Sequence, residues 1–336
     1  MKPTDLAIHL RAFLTNYLPV QRNASPNTIS GYRYAFVLLL RYCQENCRIR
    51  AQQLCLGDID VPRVLAFLDY IENERHGCTQ TRNHRLAALH SFFRYVQTQA
   101  PEHLAQCQRI LAIPLQRANY REPIYLSPTA LATLLAQPDR STQKGQRDAV
   151  LLSVLYDTGA RVQELIDLRM RDVHLPMPAR VHLTGKGRKT RLVPLMPTTA
   201  RALGQYLHEA GLGKPNCSEA YVFQNQRGGA FSRWGIRYLI KRYSAQARGV
   251  CPDLPEKITP HTLRHTKAMH LLQAGNPPII IRDILGHVDI ESTEVYARAD
   301  MEMKRRALEK APDLVSAPTQ GSWQREPDLL DWLHSL

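Results

Sequence analysis

The most informative neighbours in this sequence are a histidine and an arginine, His261 and Arg264, three residues apart. Thr259 and Pro260 directly before them are typical of a helix start, as N-cap and first helical residue. The pair therefore shares one face of the first turn, where free backbone amides and the helix dipole favour an anion. A general acid–base beside a fork-shaped cation at such a place suits phosphoryl transfer. Since His-x-x-Arg pairs are common, this chemistry needs partners elsewhere in the chain.

Three other segments offer such partners. The first contains Arg161 and Glu164, which follow a tight turn at 158–160. The second is a glycine-rich hairpin tip with Lys186, Arg188 and Lys189. The third contains His287 and Tyr296, which follow the predicted end of a helix. Gly286 fits the C-terminal cap of that helix and leaves His287 at an exposed corner.

A metal site is a weaker interpretation of the same histidines. His261 and His265 form an H-x-x-x-H pair, but position 262 is Thr rather than the Glu of a metalloprotease, and no third ligand is evident. The seven cysteines contain no C-x-x-C pair, which argues against a zinc site or a disulfide framework. We therefore expect no metal, no cofactor, and free thiols in a reducing cytoplasm.

The charge balance points to a polyanionic partner. The 336 residues carry 44 Lys and Arg against 30 Asp and Glu, a net charge of +14, which favours nucleic acid or an acidic membrane surface. Residues 1–118 hold 14 basic and 8 acidic residues and the remainder hold 30 and 22, so both halves are expected to touch the partner. No apolar run approaches the ~18 residues of a membrane span, and the first residues lack the core of a signal peptide.

The elements that must position these side chains are mainly helical. Residues 1–113 show five amphipathic helical stretches, 114–126 read as a linker with two prolines, and Ser127-Pro128 begins a second unit. That unit, 127–311, mixes helices with short β-type runs at 181–183, 191–193 and 221–223, the first two forming a hairpin. The tail 312–336 is expected to be flexible, with a short apolar helix from Leu329 to Leu336. The predicted fold class is mainly α with a small β-hairpin or sheet.

At this point the chain resembles the tyrosine recombinases, the family of phage integrases and Xer recombinases. The resemblance rests on five signatures in the family's order: Thr158-Gly-Ala-Arg-Val-Gln-Glu-Leu165, Gly185-Lys-Gly187, His261-Thr-Leu-Arg264, Leu285-Gly-His287 and Tyr296. It spans roughly residues 127–300, and the helical N-terminal part is similar to the family's SAM-like core-binding domain.

The resemblance implies a role for each of these side chains. Tyr296 would be the nucleophile, and since free tyrosine has a pKa of about 10 it needs nearby cations. Arg161 and Arg264 would hold the non-bridging oxygens of the phosphate, and His287 would donate a further hydrogen bond. The remaining roles are His261 accepting the tyrosine proton, Lys186 (with Lys189 as a rival) protonating the departing 5′ oxygen, and Glu164 orienting an arginine or a histidine.

The resemblance also suggests contacts with DNA, which are less specific. Arg33, Arg41, Arg82, Asn83 and Arg85 match groove-facing positions of the N-terminal domain, and Arg188 and Arg191 would approach the minor groove or backbone. The implied partners are double-stranded recombination sites and a tetramer on DNA, either a homotetramer or one mixed with related recombinases.

The predicted activity is therefore site-specific DNA recombination through a 3′-phosphotyrosine intermediate, without metal or ATP. The extended tail favours integration or transposition of a mobile element. Xer-like resolution of chromosome dimers stays open as an alternative, followed by a type IB topoisomerase and a DNA-binding regulator without catalysis. A regulator is the least expected, because the set from Arg161 to Tyr296 is intact.

Overall fold

The chain forms two compact units, Met1–Tyr120 and Arg121–Leu336, each with its own hydrophobic core. The computed structural model describes residues 2–117, 123–185 and 189–286. The division falls inside the stretch 114–126 that sequence analysis assigned to a linker. The end of this stretch packs into the second unit, because Leu126 is buried and its N–H donates to Thr266 Oγ1 at 3.0 Å.

The first unit is built from helices with clear local start signals. These helices are α1 (Asp5–Ala12), α2 (Pro26–Asn46), α3 (Val61–Asp69), α4 (Thr79–Gln99) and α5 (Leu104–Leu111). The Ser25 and Asp60 side chains cap α2 and α3 by accepting from the N–H groups of Thr28 and Arg63. α1 and α3 each continue in a wider helical turn, Phe13–Gln21 and Tyr70–Glu74.

Aromatic side chains fill the core of the first unit. Phe13, Phe36 and Phe92 are almost fully buried and meet edge to face, with the Phe36 and Phe92 ring centroids 5.0 Å apart. Phe13 directly follows α1, Phe36 lies on α2 and Phe92 lies on α4, so these rings join the three helices in one core.

The second unit surrounds one apolar helix with shorter ones and a small sheet. Its helices are α6 (Pro128–Leu135), α7 (Gln143–Thr158), α8 (Val162–Ile166), α9 (Pro197–Glu209), α10 (Arg233–Arg248), α11 (Pro260–Gln273) and α12 (Pro278–Leu285). α7 is central, since Leu151, Leu152, Val154 and Leu155 on it are fully buried. α11 and α12 pack on each other through a small cluster that includes Met269 and Leu285.

The sheet has three antiparallel strands in the order β1 (Val173–His174), β2 (Arg180–Thr184) and β3 (Thr190–Pro194). β2 and β3 form the expected hairpin, with Val181 opposite Val193 and Thr184 opposite Thr190. β1 was not foreseen, and the strand expected at 221–223 is wrong. Only an isolated bridge between Tyr221 and Arg169 forms there, because the pairing is limited to two hydrogen bonds, from the Met170 N–H to Ala220 O and from the Val222 N–H to Leu168 O, both at 3.0 Å.

The remaining expectations concern the C-terminal helices, the cysteines and membrane-spanning segments. The helix around Tyr296 and the apolar tail from Leu329 lie outside the described residues. All seven cysteines are free. Within the described ranges, no helix is both long and apolar enough to cross a membrane.

Candidate active site

The turn that delivers Arg161 depends on a glycine. Gly159 ends α7 in the left-handed conformation, with φ +56°, and a Cβ there would lie 2.5 Å from Leu285 Cδ2. Thr158 Oγ1 accepts a hydrogen bond from the Ala160 N–H at 3.2 Å and closes the turn. The chain can then pass close to α12 and begin α8 directly after Arg161.

Glu164 lies under this turn as a buried carboxylate. Its side chain is only 3 % exposed. It accepts from the backbone N–H of Arg161 at 2.8 Å and from Arg161 Nη1 at 2.9 Å. It also accepts from both terminal nitrogens of Arg191, at 3.1 and 2.8 Å. Glu164 therefore contacts Arg161, and its role in orienting that arginine stays a prediction.

The histidine–arginine pair begins α11 as its sequence predicts. Thr259 Oγ1 accepts from the Thr262 N–H at 3.2 Å, and Pro260 is the first helical residue. Arg264 is buried beneath the turn and donates to Gly159 O and to Leu285 O, both at 2.6 Å. These two bonds tie the start of α11 to the end of α7 and the end of α12.

The end of α12 is the point where the separate segments meet. Three consecutive carbonyls there each accept from a different arginine: Ile284 O from Arg191 Nε at 2.8 Å, Leu285 O from Arg264 and Gly286 O from Arg161 Nη2 at 3.1 Å. The last carbonyls of a helix lack helical partners and carry the negative end of its dipole, so cations are stabilised there. The three guanidiniums therefore all contact the end of α12, directly before position 287.

The cluster of Arg161 and Arg264 is suited to an anion such as a phosphate. An arginine carries five N–H donors. The Arg161 side chain remains one third exposed, and its bonds to described residues use one donor each from Nη1 and Nη2. Charge-assisted donors of this kind each stabilise developing negative charge by a few kcal/mol when they are held in place beforehand.

His261 is held mainly neutral beside these cations. Its pKa is lowered by partial desolvation and by the positive charges of Arg264, Arg161 and Arg237, although one side of the residue is open to solvent. Neighbouring His265, whose ring centre is 6.4 Å away, has a pKa lowered to about 4 by burial, His261 and Arg264. A neutral imidazole at position 261 can accept a proton at neutral pH.

The hairpin reaches the same cluster through its first glycine. A Cβ on Gly185 would lie 2.9 Å from Glu164 Oε1 and 3.6 Å from Arg161 Nη1, so any larger residue would press on this pair. The Gly185 N–H donates to Lys189 O at 2.8 Å and closes the hairpin. Lys189 is exposed, whereas Lys186 and Arg188 lie outside the described residues, as do His287 and Tyr296.

The arginines of the first unit that were predicted to contact DNA differ in their exposure to solvent. Arg33 and Arg41 are exposed on α2, and the Arg85 guanidinium lies 5.0 Å from the centre of the Tyr34 ring. Arg82, by contrast, is 4 % exposed. It pairs with Glu72, whose side chain is 21% exposed, at 3.4 Å, and a DNA contact by the buried Arg82 would require this ion pair to open.

Asn83 also has protein partners. Its amide donates to Gln116 O at 2.8 Å and accepts from the Gln116 N–H at 3.1 Å. These two bonds fasten the segment after α5 to the start of α4. Reading adenine would need the same amide atoms.

Sequence reasoning missed the place of Arg191. It was expected to approach the DNA, and the structure shows its side chain 11 % exposed and in contact with Glu164 and the end of α12. The two ion-pair partners are 27 residues apart, so no helical or strand period links them.

Comparisons with known proteins identify the family of this chain. The model of the phage integrase family matches residues 125–303, and the model of the phage integrase N-terminal SAM-like domain matches residues 11–99. The chain is 39% identical to a Sinorhizobium fredii protein named as an integrase/recombinase, y4rC, over 100% of this chain and 99% of that protein. It is 32% identical to the tyrosine recombinase XerC of Bacillus pumilus, over 86% of this chain and 92% of that protein.

Two solved structures share the fold. A XerH site-specific recombinase bound to a palindromic difH substrate aligns with a TM-score of 0.67 at 24% identity, over 86% of this chain and 81% of that one. A Tn1549 transposon integrase in complex with circular intermediate DNA aligns with a TM-score of 0.69 at 17% identity, over 92% of this chain and 100% of that one.

Proposed function

Since this chain belongs to the phage integrase family of tyrosine recombinases, which cleave and rejoin DNA strands, we propose that it is a site-specific recombinase using a 3′-phosphotyrosine intermediate. The observation that carries this proposal is the convergence of Arg161 and Arg264 on the adjacent carbonyls of Gly286 and Leu285. Two arginines 103 positions apart in the sequence thereby share one site, directly before His287.

In the proposed reaction, the Tyr296 oxygen attacks the scissile phosphorus and the bond from phosphorus to the 5′ oxygen breaks. Arg161 and Arg264 stabilise the negative charge on the non-bridging oxygens, and His287 adds a donor. His261 takes the tyrosine proton, and Lys186 gives a proton to the departing 5′ oxygen. The phosphotyrosine link keeps the energy of the phosphodiester, so a 5′ hydroxyl of a second strand can reverse the step and rejoin the DNA.

The proposed partner is double-stranded DNA carrying recombination sites. The net charge of +14 supports a polyanionic partner, and the XerH and Tn1549 proteins are both described as bound to DNA. Recombination joins two sites, each bound by two subunits, and the proposed assembly is therefore a tetramer on DNA, homomeric or mixed with related recombinases.

For the biological role, we favour integration or transposition of a mobile element over resolution of chromosome dimers. The chain is more similar to the integrase/recombinase y4rC, at 39% over its whole length, than to XerC proteins, at 32%. Recombination in cells between two copies of the element's own junction, compared with two copies of the host's chromosome-terminus site, separates these roles. Exchange at the terminus site alone would contradict the mobile-element role.

The chemistry is tested by trapping on a nicked suicide substrate that carries the element's ends. Wild-type protein should form a covalent protein–DNA adduct, and Tyr296→Phe should form none. Tyr238→Phe is the control, because Tyr238 is a 70% exposed tyrosine of the same unit and loses only its hydroxyl. An adduct that persists in Tyr296→Phe would exclude Tyr296 as the nucleophile. Tight binding by wild type without any adduct would refute cleavage by this chain alone.

A further inference from the structure

The Arg191 side chain makes three hydrogen bonds to two partners, although it lies on a strand next to the hairpin tip. Its two terminal nitrogens donate to the two carboxylate oxygens of Glu164, and its Nε donates to Ile284 O at 2.8 Å. In the ladder of β2 and β3 it lies opposite Leu183, one residue from the last pair of the hairpin, Thr184 and Thr190. One side chain thus joins the hairpin, the start of α8 and the end of α12.

The bidentate geometry makes Arg191 the stronger of the two partners of Glu164. Burial raises the pKa of Glu164, but the hydrogen bonds and charge of Arg191, followed by the hydrogen bonds of Arg161, outweigh it and hold the pKa below its ordinary value. The charged side chains facing Glu164 from described elements are these two, Arg161 at the start of α8 and Arg191 from β3. Arg191 therefore keeps Glu164 ionised, and an ionised Glu164 holds Arg161.

The packing around Arg191 leaves it little freedom to reach a ligand. A Cβ on Gly286 would meet Arg191 Cδ and Nη1, each at 2.9 Å. Gly286 also has φ +66°, so the chain turns over the guanidinium just before His287. A side chain pressed between Glu164 and this turn orders both of them.

We propose that Arg191 is a positioning residue for strand cleavage, which fixes Arg161 through Glu164 and fixes the end of α12 through Ile284, instead of contacting DNA. This inference rests on the proposed function, because Arg161 matters only where a phosphate reacts. It replaces the DNA contact expected from the sequence, since three of the five N–H donors of Arg191 already bond to protein and its side chain is only 11 % exposed.

The decisive experiment compares Arg191→Met and Arg191→Lys with wild type in two measurements. DNA affinity is measured over a range of salt concentrations, and the single-turnover cleavage rate is measured at saturating suicide substrate. We expect Arg191→Met to lower the cleavage rate by about 100-fold, comparable to removal of one preorganised donor. Its Kd and salt dependence should stay within about 3-fold of wild type, because no phosphate contact is lost. Arg191→Lys should recover part of the rate through a single ion pair.

Two controls distinguish positioning from other roles. Arg180→Met removes a half-buried arginine of β2, whose side chain bonds only to Pro178 O among described residues, and it should leave the cleavage rate unchanged. In Arg191→Met, Glu164 loses its main partner and its pKa rises, so the cleavage rate should increase with pH where the wild-type rate is flat. Adding Glu164→Gln to Arg191→Met should abolish this new pH dependence.

Distinct results would overturn the inference. Weaker binding with a smaller salt dependence and an unchanged rate at saturating DNA would make Arg191 a DNA contact. A pH-independent loss of rate that tracks the loss of folded protein in thermal unfolding would make it only structural.

Failure of the proposed function would look different, because wild type would then form no adduct. In that case the linkage is still tested by unfolding midpoints of Arg191→Met, Arg161→Met and the double variant in the full chain. We expect the two shifts to be non-additive, because both arginines act on one carboxylate. Additive shifts would refute the coupling.

Discussion

Replacing Glu164 with Gln should destabilise the second unit far more than the same change at Glu219. Each carboxylate binds two arginines, Glu164 with Arg161 and Arg191, and Glu219 with Arg169 and Arg171. They differ in exposure, because the side chain of Glu164 is 3 % exposed and that of Glu219 is 62% exposed. The pair therefore isolates the effect of burial on an otherwise similar interaction.

The magnitude follows from what remains after the substitution. Removing one partner of a buried ion pair costs about 3–5 kcal/mol, because it leaves buried charge without compensation. Arg191 is 11 % exposed and stays buried, while Arg161 is 33% exposed and regains some hydration. We therefore expect Glu164→Gln to lower the free energy of unfolding by about 3 kcal/mol, near the lower end of this range. Glu219→Gln should cost at most about 1 kcal/mol, the range of exposed pairs.

The assay is urea unfolding of the full chain followed by tryptophan fluorescence. All three tryptophans, Trp234, Trp323 and Trp332, come after residue 120, so no tryptophan of the first unit contributes to the signal. Because the pKa of Glu164 is lowered in the folded protein, its contribution is present above the ordinary value of a glutamate and is lost as the pH falls through the lowered value. The gap between wild type and Glu164→Gln should therefore narrow in acid. Equal costs for Glu164→Gln and Glu219→Gln at neutral pH would refute the reasoning.

Three further outcomes are expected. Gly286→Ala should destabilise the second unit and slow cleavage, because it combines a left-handed φ of +66° with a Cβ 2.9 Å from the Arg191 side chain; unfolding and single-turnover rates measure both. The unfolding free energy should fall as the pH drops from about 6.5 to about 4, because the unfolded chain protonates His265 at its ordinary pKa and the folded chain only at about 4. His265 contributes at most about 3 kcal/mol to this fall in the unfolding free energy. The substitution His265→Gln should therefore reduce the pH dependence of the unfolding free energy. Arg82→Met should lower the stability of the first unit, followed by circular dichroism, whereas Arg41→Met should weaken DNA binding and reduce its salt dependence without changing stability.

Each of these outcomes has a matched comparison. Gly213→Ala places a Cβ where no atom lies within 4 Å, and a loss equal to that of Gly286→Ala would contradict the close-packing argument. An unchanged pH dependence in His265→Gln would assign the acid sensitivity to other groups. If Arg82→Met weakened DNA binding at unchanged stability, the ion pair with Glu72 would not be its main role.

The sequence alone determined the parts of this protein whose signals are local. Thr259 and Pro260 begin α11 and so place His261 and Arg264 on its first turn, and Gly159 and Gly286 mark turns that need a left-handed backbone. Such signals act within a few residues, because capping, φ preference and side-chain period are properties of neighbouring positions. The same locality made the β2–β3 hairpin and the family signatures readable.

Only the tertiary structure decided which of the basic side chains are available to a phosphate. Arg82 and Arg191 resemble Arg41 in the sequence, yet the first two are buried against acids from other segments while the third is exposed. Pairing across 27 residues, as between Glu164 and Arg191, leaves no periodic trace. The cost of burying a charge is met by whichever partner the fold brings within hydrogen-bond distance, and that partner is set by packing rather than by sequence neighbourhood.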